Sequence, residues 1–384
     1  MRFVLILILI IFCEGLRAQP ATLAPPDSSD RLTRLARQIE PELQGRTDRL
    51  SQYVEYFRAQ LANDKTLFAF EVAATQGDDG PVVLKGFVEF PETREGLESF
   101  LRVLGFDEIE NELETLPSAE LGEQRFGFVK TAHTLSYDRP KIPHDVVTDC
   151  MLGEPLYLLR QEGDYLLVHS QDGYVGYVAA ADVHRVGPEA FDRYPTESSV
   201  RIVADHQLDS GLMLPLGAVL KRIPDNQDRV MIALPTGEVV EVPSAKCEAT
   251  ELPSDNIEQA IARASQLLGT PYHWGGKTVE GIDCSGLVQV AFASIGLNLP
   301  RDSYQQFYLG QLVATRWHRS QLRRGDTLYF VGPHGKIRHT ALYLGDDQFL
   351  EAEMPRVTIS SFNREHENYS PKRDASFVFG KRLW

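Results

Sequence analysis

The chain has 384 residues, 43% of them hydrophobic and 24% charged, with a formal net charge of −15. That length exceeds one ordinary domain and predicts two to four. The acidic balance argues against a nucleic-acid partner, which would call for a basic face.

The first residues, MRFVLILILIIFCEGLRAQP, place Arg2 before an apolar run from Phe3 to Phe12, with Leu16-Arg17-Ala18 behind it. This is the layout of a secretory signal peptide over 1–18, and it predicts an exported chain, periplasmic or extracellular. The run spans about half of a bilayer core, so no stable membrane anchor is expected after cleavage. Removal of the signal takes Cys13 away and leaves Cys150, Cys247 and Cys284, an odd number, so one thiol at least has no intramolecular partner. A Cys150–Cys247 bridge and two buried thiols both fit the sequence.

Residues 19–30, rich in Pro, Ala and Ser, read as a flexible leader. From 31 to 120 the pattern is that of a small α/β domain. Leu32, Leu35 and Ile39, then Leu50, Val54, Phe57 and Leu61, recur at helical spacing on either side of Pro41. Two β-like runs, TLFAFEVAA and VVLKGFVEF, follow, and Pro91 opens a helix closed by Gly105. Residues 126–187 turn to short alternating strands with frequent turn residues, and 198–250 repeat that texture more weakly, which predicts two small barrels. The last unit, 254–384, begins with a helix and ends in short strands, an α+β layout.

Within that unit, TPYHWGGKTVEGIDCSGLVQVAFASIG sets Cys284 at the start of an apolar helix with Leu287, Ala291 and Ile295 on one face. A thiol there meets the positive end of the helix dipole and free N–H groups. Both favour thiolate, and the same N–H groups suit an oxyanion. Downstream, KIRHTALYLGDDQFLEAEM alternates as two strands around Gly345-Asp346-Asp347, with His339, Ala341 and Tyr343 on one face. A three-residue loop pairs Tyr343 with Asp347 and sets Glu351 directly across from His339, where its carboxylate accepts the imidazole Nδ1–H. Helix-start cysteine, strand histidine and facing acid together predict a thiol hydrolase or acyl transferase. No clustered cysteines or histidines at metal-ligand spacing accompany them, so neither a metal nor a cofactor is expected.

At these residues the sequence resembles the NlpC-type cysteine peptidases of bacterial cell walls. GTPYHWGG, GIDCSGLVQVAF, NLPRDSYQQ, LRRGDTLYF and HTALYLGDDQFLEAE follow the family's order between about Ser254 and Trp384. The resemblance implies a papain-like catalytic domain that hydrolyses peptidoglycan stem peptides, with Cys284 as nucleophile, His339 as base and Tyr272 near the oxyanion. The third polar residue, most often histidine in the family, is Glu351 here, with Glu353 in reserve. The units ahead of it look like bacterial SH3-like barrels, a combination similar to γ-D-glutamyl-L-diamino-acid endopeptidases of the dipeptidyl-peptidase VI type. In that group the first barrel closes the cleft and recognises a free N-terminal L-Ala. Glu154, Tyr174, Asp283, Ser285, Asp302 and Ser303 match that subsite, whose acids and hydroxyls suit an ammonium. The expected partner is the stem peptide L-Ala-γ-D-Glu-diamino acid, handled by a monomer. Two other readings fit the same residues: an endopeptidase on intact peptidoglycan with wall-binding barrels, and an inactive wall-binding protein.

Overall fold

The computed structural model describes residues 28–384 apart from 63, 78–79, 143, 194–197, 225–229 and 251–255. The expected signal peptide at 1–18 lies outside the described residues. So does the leader up to residue 27, and the first helix already begins at Ser28. Among the described residues no helix is long and apolar enough to cross a membrane.

Helices α1 (Ser28–Ile39) and α2 (Leu50–Leu61) stand on either side of Pro41, where the spacing predicts them. They share a core with the antiparallel pair β1 (Phe70–Gln76) and β2 (Val82–Val88) and with α3 (Pro91–Val103), burying Tyr53, Val54, Phe57, Leu84, Leu97 and Phe100. Pro91 fits the first helical turn, where an N–H has no partner to lose. Gly105 ends α3 at φ +99°, which lets the Phe106 N–H return to the Leu101 carbonyl at 3.2 Å. Two strands the sequence does not signal, β3 (Ile109–Asn111) and β4 (Glu114–Thr115), run parallel to β2. They are too short to carry a period.

Strands β5 (Phe126–Val129), β6 (His133–Tyr137), β7 (Val146–Met151), β8 (Pro155–Glu162), β9 (Tyr165–His169), β10 (Val175–Ala179) and β11 (Val183–Val186) pair in the order β11-β5-β8-β9-β10-β6-β7. After the short α4 (Pro188–Asp192) come β12 (Ser199–Ile202), β13 (His206–Gln207), β14 (Met213–Leu214), β15 (Val219–Ile223), β16 (Val230–Ala233), β17 (Val239–Val242) and β18 (Cys247–Ala249). Five of these pair as β17-β16-β15-β12-β18, and β13 pairs with β14 alone. Each unit has its own apolar core. Two small barrels are the expectation, and both pairing paths are open among the described residues. Bulges in the β6–β7 and β8–β9 ladders coil the first sheet without joining its ends. Cys150 and Cys247 sit one in each core region as free thiols, so the bridge left open by the sequence is not formed.

The last unit runs α5 (Ile257–Ser265), the paired β19 (Lys277–Thr278) and β20 (Gly281–Ile282), α6 (Cys284–Ala293), α7 (Ser303–Gln306), β21 (Gln311–Thr315), β22 (Thr327–Val331), β23 (Ile337–Gly345), β24 (Gln348–Glu353), β25 (Arg356–Ser361), α8 (Pro371–Ser376) and β26 (Phe377–Arg382). Its antiparallel sheet is ordered β21-β26-β22-β23-β24-β25. Helix α6 is buried from Cys284 to Phe292. Leu287, Val288, Ala291 and Phe292 join Ala260 of α5 and Leu342 and Leu350 of the sheet in one core, as an all-round apolar helix requires. The chain is therefore a strand-rich, multidomain protein whose C-terminal unit sets a helix start against the middle of a sheet.

Candidate active site

Asp283 caps α6, its carboxylate accepting from the Gly286 N–H at 2.8 Å, a contact worth about 1 kcal/mol at a helix start. The same carboxylate accepts from the Gly275 N–H at 2.8 Å, from the Ser285 hydroxyl at 3.2 Å and from Arg301 at 3.0 and 2.6 Å. Gly286 is needed for this fit: a Cβ there would collide with the Gly276 carbonyl oxygen. Asp283 is thus fully engaged in framing the helix start. Ser285 is engaged as well, accepting from Arg301 at 2.8 Å. Arg301 is only 2% exposed, and its partner lies 18 positions earlier, beyond any local signal.

Cys284 is 6% exposed. Burial pushes its thiol up to about 12, with the Asp283 carboxylate adding to the rise; the N–H groups of Thr340 and Ser285 and the Arg301 charge pull the other way without prevailing. The expected pull toward thiolate is present, and burial outweighs it. Of the first-turn N–H groups expected to serve an oxyanion, that of Gly286 is already spent on Asp283. The Thr340 N–H on the sulfur places Cys284 beside the strand residue that follows His339.

His339 and Glu351 meet, though by a different register from the expected one. Gly345 pairs with Gln348 around a two-residue turn with Asp346 and Asp347 at φ 49° and 56°, and a bulge then pairs Tyr343 with Phe349 and Leu342 with Leu350. Continuing that register sets Glu351 across from Ala341 and diagonal to His339, still on the same face. The bond is Nε2 to Glu351 Oε2 at 2.6 Å, not Nδ1 as expected, which leaves Nδ1 as the nitrogen available to the thiol. Burial holds the imidazole below its ordinary value against the pull of Glu351, and nearby Arg373 adds to the lowering. Glu351 is driven down to about 2: burial opposes ionisation, but His339, Arg373 and the Ser360 hydroxyl outweigh it. The Ser360 hydroxyl donates to Oε1 at 2.6 Å and Arg373 Nε to Oε2 at 2.5 Å.

Arg373, buried on α8, also contacts Glu353, and Lys372 reaches that second carboxylate at 2.9 Å. Glu353 therefore serves Arg373 and Lys372 while Glu351 takes His339. Ligand atoms of His339, Glu351 and Glu353 lie within 4.8 Å of one another, and the Arg373 guanidinium already answers both carboxylates. Tyr272 is half-buried beside Cys284, its backbone tied to the Pro355 carbonyl at 2.9 Å; burial, with Cys284 and Asp283 nearby, pushes its phenol up.

The residues expected at the amine subsite fall into two groups. The Tyr174 hydroxyl donates to Asp302 Oδ2 at 2.6 Å and lies 3.0 Å from Gln305 Oε1, so the first strand unit touches α7. Ser303 is buried at the first position of α7, and burial raises the Asp302 carboxyl against the opposing pull of Tyr174 and Arg301. Glu154 makes a different set of contacts. It pairs with buried Lys277 at 3.2 Å, which also holds Asp172 at 3.1 Å. It lines a cleft of about 750 Å³ with Asp172, Lys277, Arg201 and Gln289, and neither Cys284 nor Tyr174 is among the described residues lining that cleft. Burial and the Asp172 charge raise Glu154 to about 7 even against Lys277.

Residues 269–374 match the NlpC/P60 family. The peptidoglycan endopeptidase RipB of Mycobacterium tuberculosis is 38% identical over 144 residues, 32% of this chain and 57% of that protein, so the match spans little more than half of its length. The γ-D-glutamyl-L-lysine dipeptidyl-peptidase of Bacillus cereus is 24% identical over 227 residues, 53% of this chain and 66% of that one. The crystal structure of an NlpC/P60 family protein from Bacillus cereus superposes with a TM-score of 0.59 at 19% identity, covering 67% of this chain and 99% of that one, which shows a shared fold. The C-terminal unit of this chain therefore carries an NlpC/P60 domain.

Proposed function

We propose that the protein is an exported peptidase that cuts the γ-D-Glu–diamino acid bond of peptidoglycan stem peptides carrying a free N-terminal L-Ala. Cys284 is the nucleophile. Its proton passes to Nδ1 of His339 as sulfur attacks the γ-carbonyl, and the imidazolium returns it to the departing amine of the diamino acid. Water, deprotonated by the same imidazole, then releases L-Ala-γ-D-Glu from the thioester. Glu351 holds the Nε2–H tautomer and stabilises the imidazolium, and Tyr272 with the remaining helix-start N–H groups receives the oxyanion.

The observation that carries the amine requirement is the Tyr174–Asp302 contact, which brings the first strand unit onto the element following the nucleophile helix. In this reading the ammonium is received there, with Ser303 and Ser285 at hand. Asp283 frames the helix start, and Glu154 acts through Lys277 to seat the first unit. The units over 126–187 and 198–250 are read as SH3-like modules, 31–120 as a docking domain, and 254–384 as the catalytic domain. The dipeptidyl-peptidase named above supports this substrate class; the endopeptidase RipB supports the second reading, action on intact wall.

The test is mass spectrometry of products from L-Ala-γ-D-Glu-meso-diaminopimelate and from its N-acetylated form, with Cys284→Ala as the blank. Release of L-Ala-γ-D-Glu from the free peptide alone is expected. Equal cleavage of both would favour the endopeptidase, and cleavage of neither would leave the wall-binding reading.

A further inference from the structure

The N-terminal unit has no part in the chemistry above, yet one of its residues reaches the catalytic unit. Asp64 lies between α2 and β1, half-buried. Its Oδ1 accepts from the Thr66 N–H at 2.9 Å and the Thr66 hydroxyl at 2.5 Å. Its Oδ2 accepts from the hydroxyl of Tyr304, on α7, and from Gln305 Nε2 at 3.3 Å. These contacts join residues 240 and 241 positions apart.

The segment carrying Asp64 is firmly held. The Thr66 carbonyl accepts from the Val175 N–H at 2.6 Å, one residue beyond Tyr174. Ala69, Phe87 and Leu116 of the N-terminal unit form a common core with Leu159, Leu167, Val175 and Tyr177 of the first strand unit. Glu89 accepts from the Ala69 N–H at 2.9 Å and bonds His169 at 2.8 Å. Asp64 is therefore delivered by a packed surface.

What it does there follows from donor and acceptor rules. A carboxylate only accepts, so it fixes the Gln305 amide with nitrogen toward Asp64 and oxygen toward the Tyr174 hydroxyl. Gln305 Oε1 also lies 3.4 Å from the Asp302 N–H, which ties the amide to the start of α7. The result is a relay from Asp64 through Gln305 and Tyr174 to Asp302. With Gln305 so oriented, the Tyr174 proton points at acceptors alone and Asp302 stays where an ammonium can reach it. Asp64 also brings a second negative charge to this end of the cleft, and the two carboxylates act on each other: Asp64 contributes to the rise of Asp302.

We propose that Asp64 is a positioning residue for recognition of a cationic amino terminus, making the N-terminal unit part of the enzyme's specificity. The inference rests on the reading of the Tyr174–Asp302 pocket as the amine subsite.

The experiment uses the full chain, with Asp64→Asn and Tyr304→Phe, on the free and N-acetylated peptides. The wild type is measured first, because equal cleavage of both peptides would remove the subsite reading and this inference with it. Given a wild-type preference, Asp64→Asn is expected to raise KM for the free peptide about tenfold, as for one lost charge-assisted contact. Its kcat should hold within about twofold and its kcat/KM for the acetylated peptide should be unmoved. Tyr304→Phe, which keeps the ring and leaves Gln305 on Asp64, should shift the same ratio by less and supplies the answer if Asp64→Asn does not fold. An unchanged preference in both variants overturns the proposal. So does an equal loss on both peptides with a lower melting temperature, the mark of a purely structural contact.

Discussion

Glu351→Gln probes the candidate site most directly, because it removes a charge and little volume. In the folded protein the Glu351 carboxyl ionises near 2 against an ordinary 4.5, a gap equivalent to ~3 kcal/mol in favour of the charged form. His339, Arg373 and Ser360 supply that preference. The amide can still accept from one of them, so the fold should survive. What is lost is the charge facing the imidazolium, and a hydrogen bond to a charged group contributes about 1.5–3 kcal/mol, or roughly 10- to 150-fold in rate. Because the imidazolium forms only during reaction, kcat and kcat/KM should fall together with KM little changed. Steady-state kinetics on the free tripeptide measures this, with His339→Ala marking full loss. A variant within threefold of wild-type kcat would refute the reasoning and leave Glu351 a structural partner of Arg373. The same carboxylate predicts an acid limb of stability. Its folded value lies below its unfolded one, so its stabilisation is present above about 4.5 and is lost as pH falls toward 2.

Two further outcomes test the electrostatics. Carbamidomethylation of Cys284, followed by peptide mass, should be slow at pH 7 and rise steadily to pH 9, as for a thiol pushed up to about 12; a plateau already reached at pH 6 would indicate a standing thiolate–imidazolium pair and refute the neutral resting state. Lys277→Met leaves Glu154 and Asp172 buried without their cation, at a cost of about 3–5 kcal/mol in urea denaturation. Since Glu154 is held up at about 7, above its unfolded value, the loss should be smaller at pH 5 than at pH 8. A shift below about 1 kcal/mol at pH 8 would refute the buried-pair account.

Much of the site is legible in the sequence because its signals are local. Asp-Cys-Ser-Gly before an apolar run specifies a capped helix start, and α6 begins at Cys284. The expected His339–Glu351 contact forms although the turn joining their strands is a different one. The expected and observed registers differ by two residues, and a strand alternates faces with a period of two, so an even slip keeps both side chains on one face. An odd slip would have turned Glu351 away. The missing parts are cations: Arg301, Arg373 and Lys277 reach partners 18, 22 and 105 or more positions away. Their segments carry no period or spacing that points across units. Asp64 was invisible for the same reason. Closure of the two strand units is not specified in the sequence, since short alternating strands with turns are equally the pattern of an open sheet, the pairing seen among the described residues.

The buried thiol and the depressed imidazole together say when charge appears in this site. The raised thiol and the lowered imidazole both disfavour moving the proton from sulfur to nitrogen before substrate arrives, so part of what forms the charged pair has to come with the substrate. In the proposed reaction, attack on the carbonyl removes the thiolate as it forms and moves the negative charge off the sulfur, where Asp283 disfavours it, to the oxygen. The imidazolium that remains faces an already ionised Glu351. Asp283 and Glu351 thus act in opposite senses, one holding the resting sulfur protonated and the other stabilising the charge that follows its reaction. A nucleophile kept neutral until a peptide carbonyl reaches it is protected from adventitious electrophiles and oxidants, which act on thiolate.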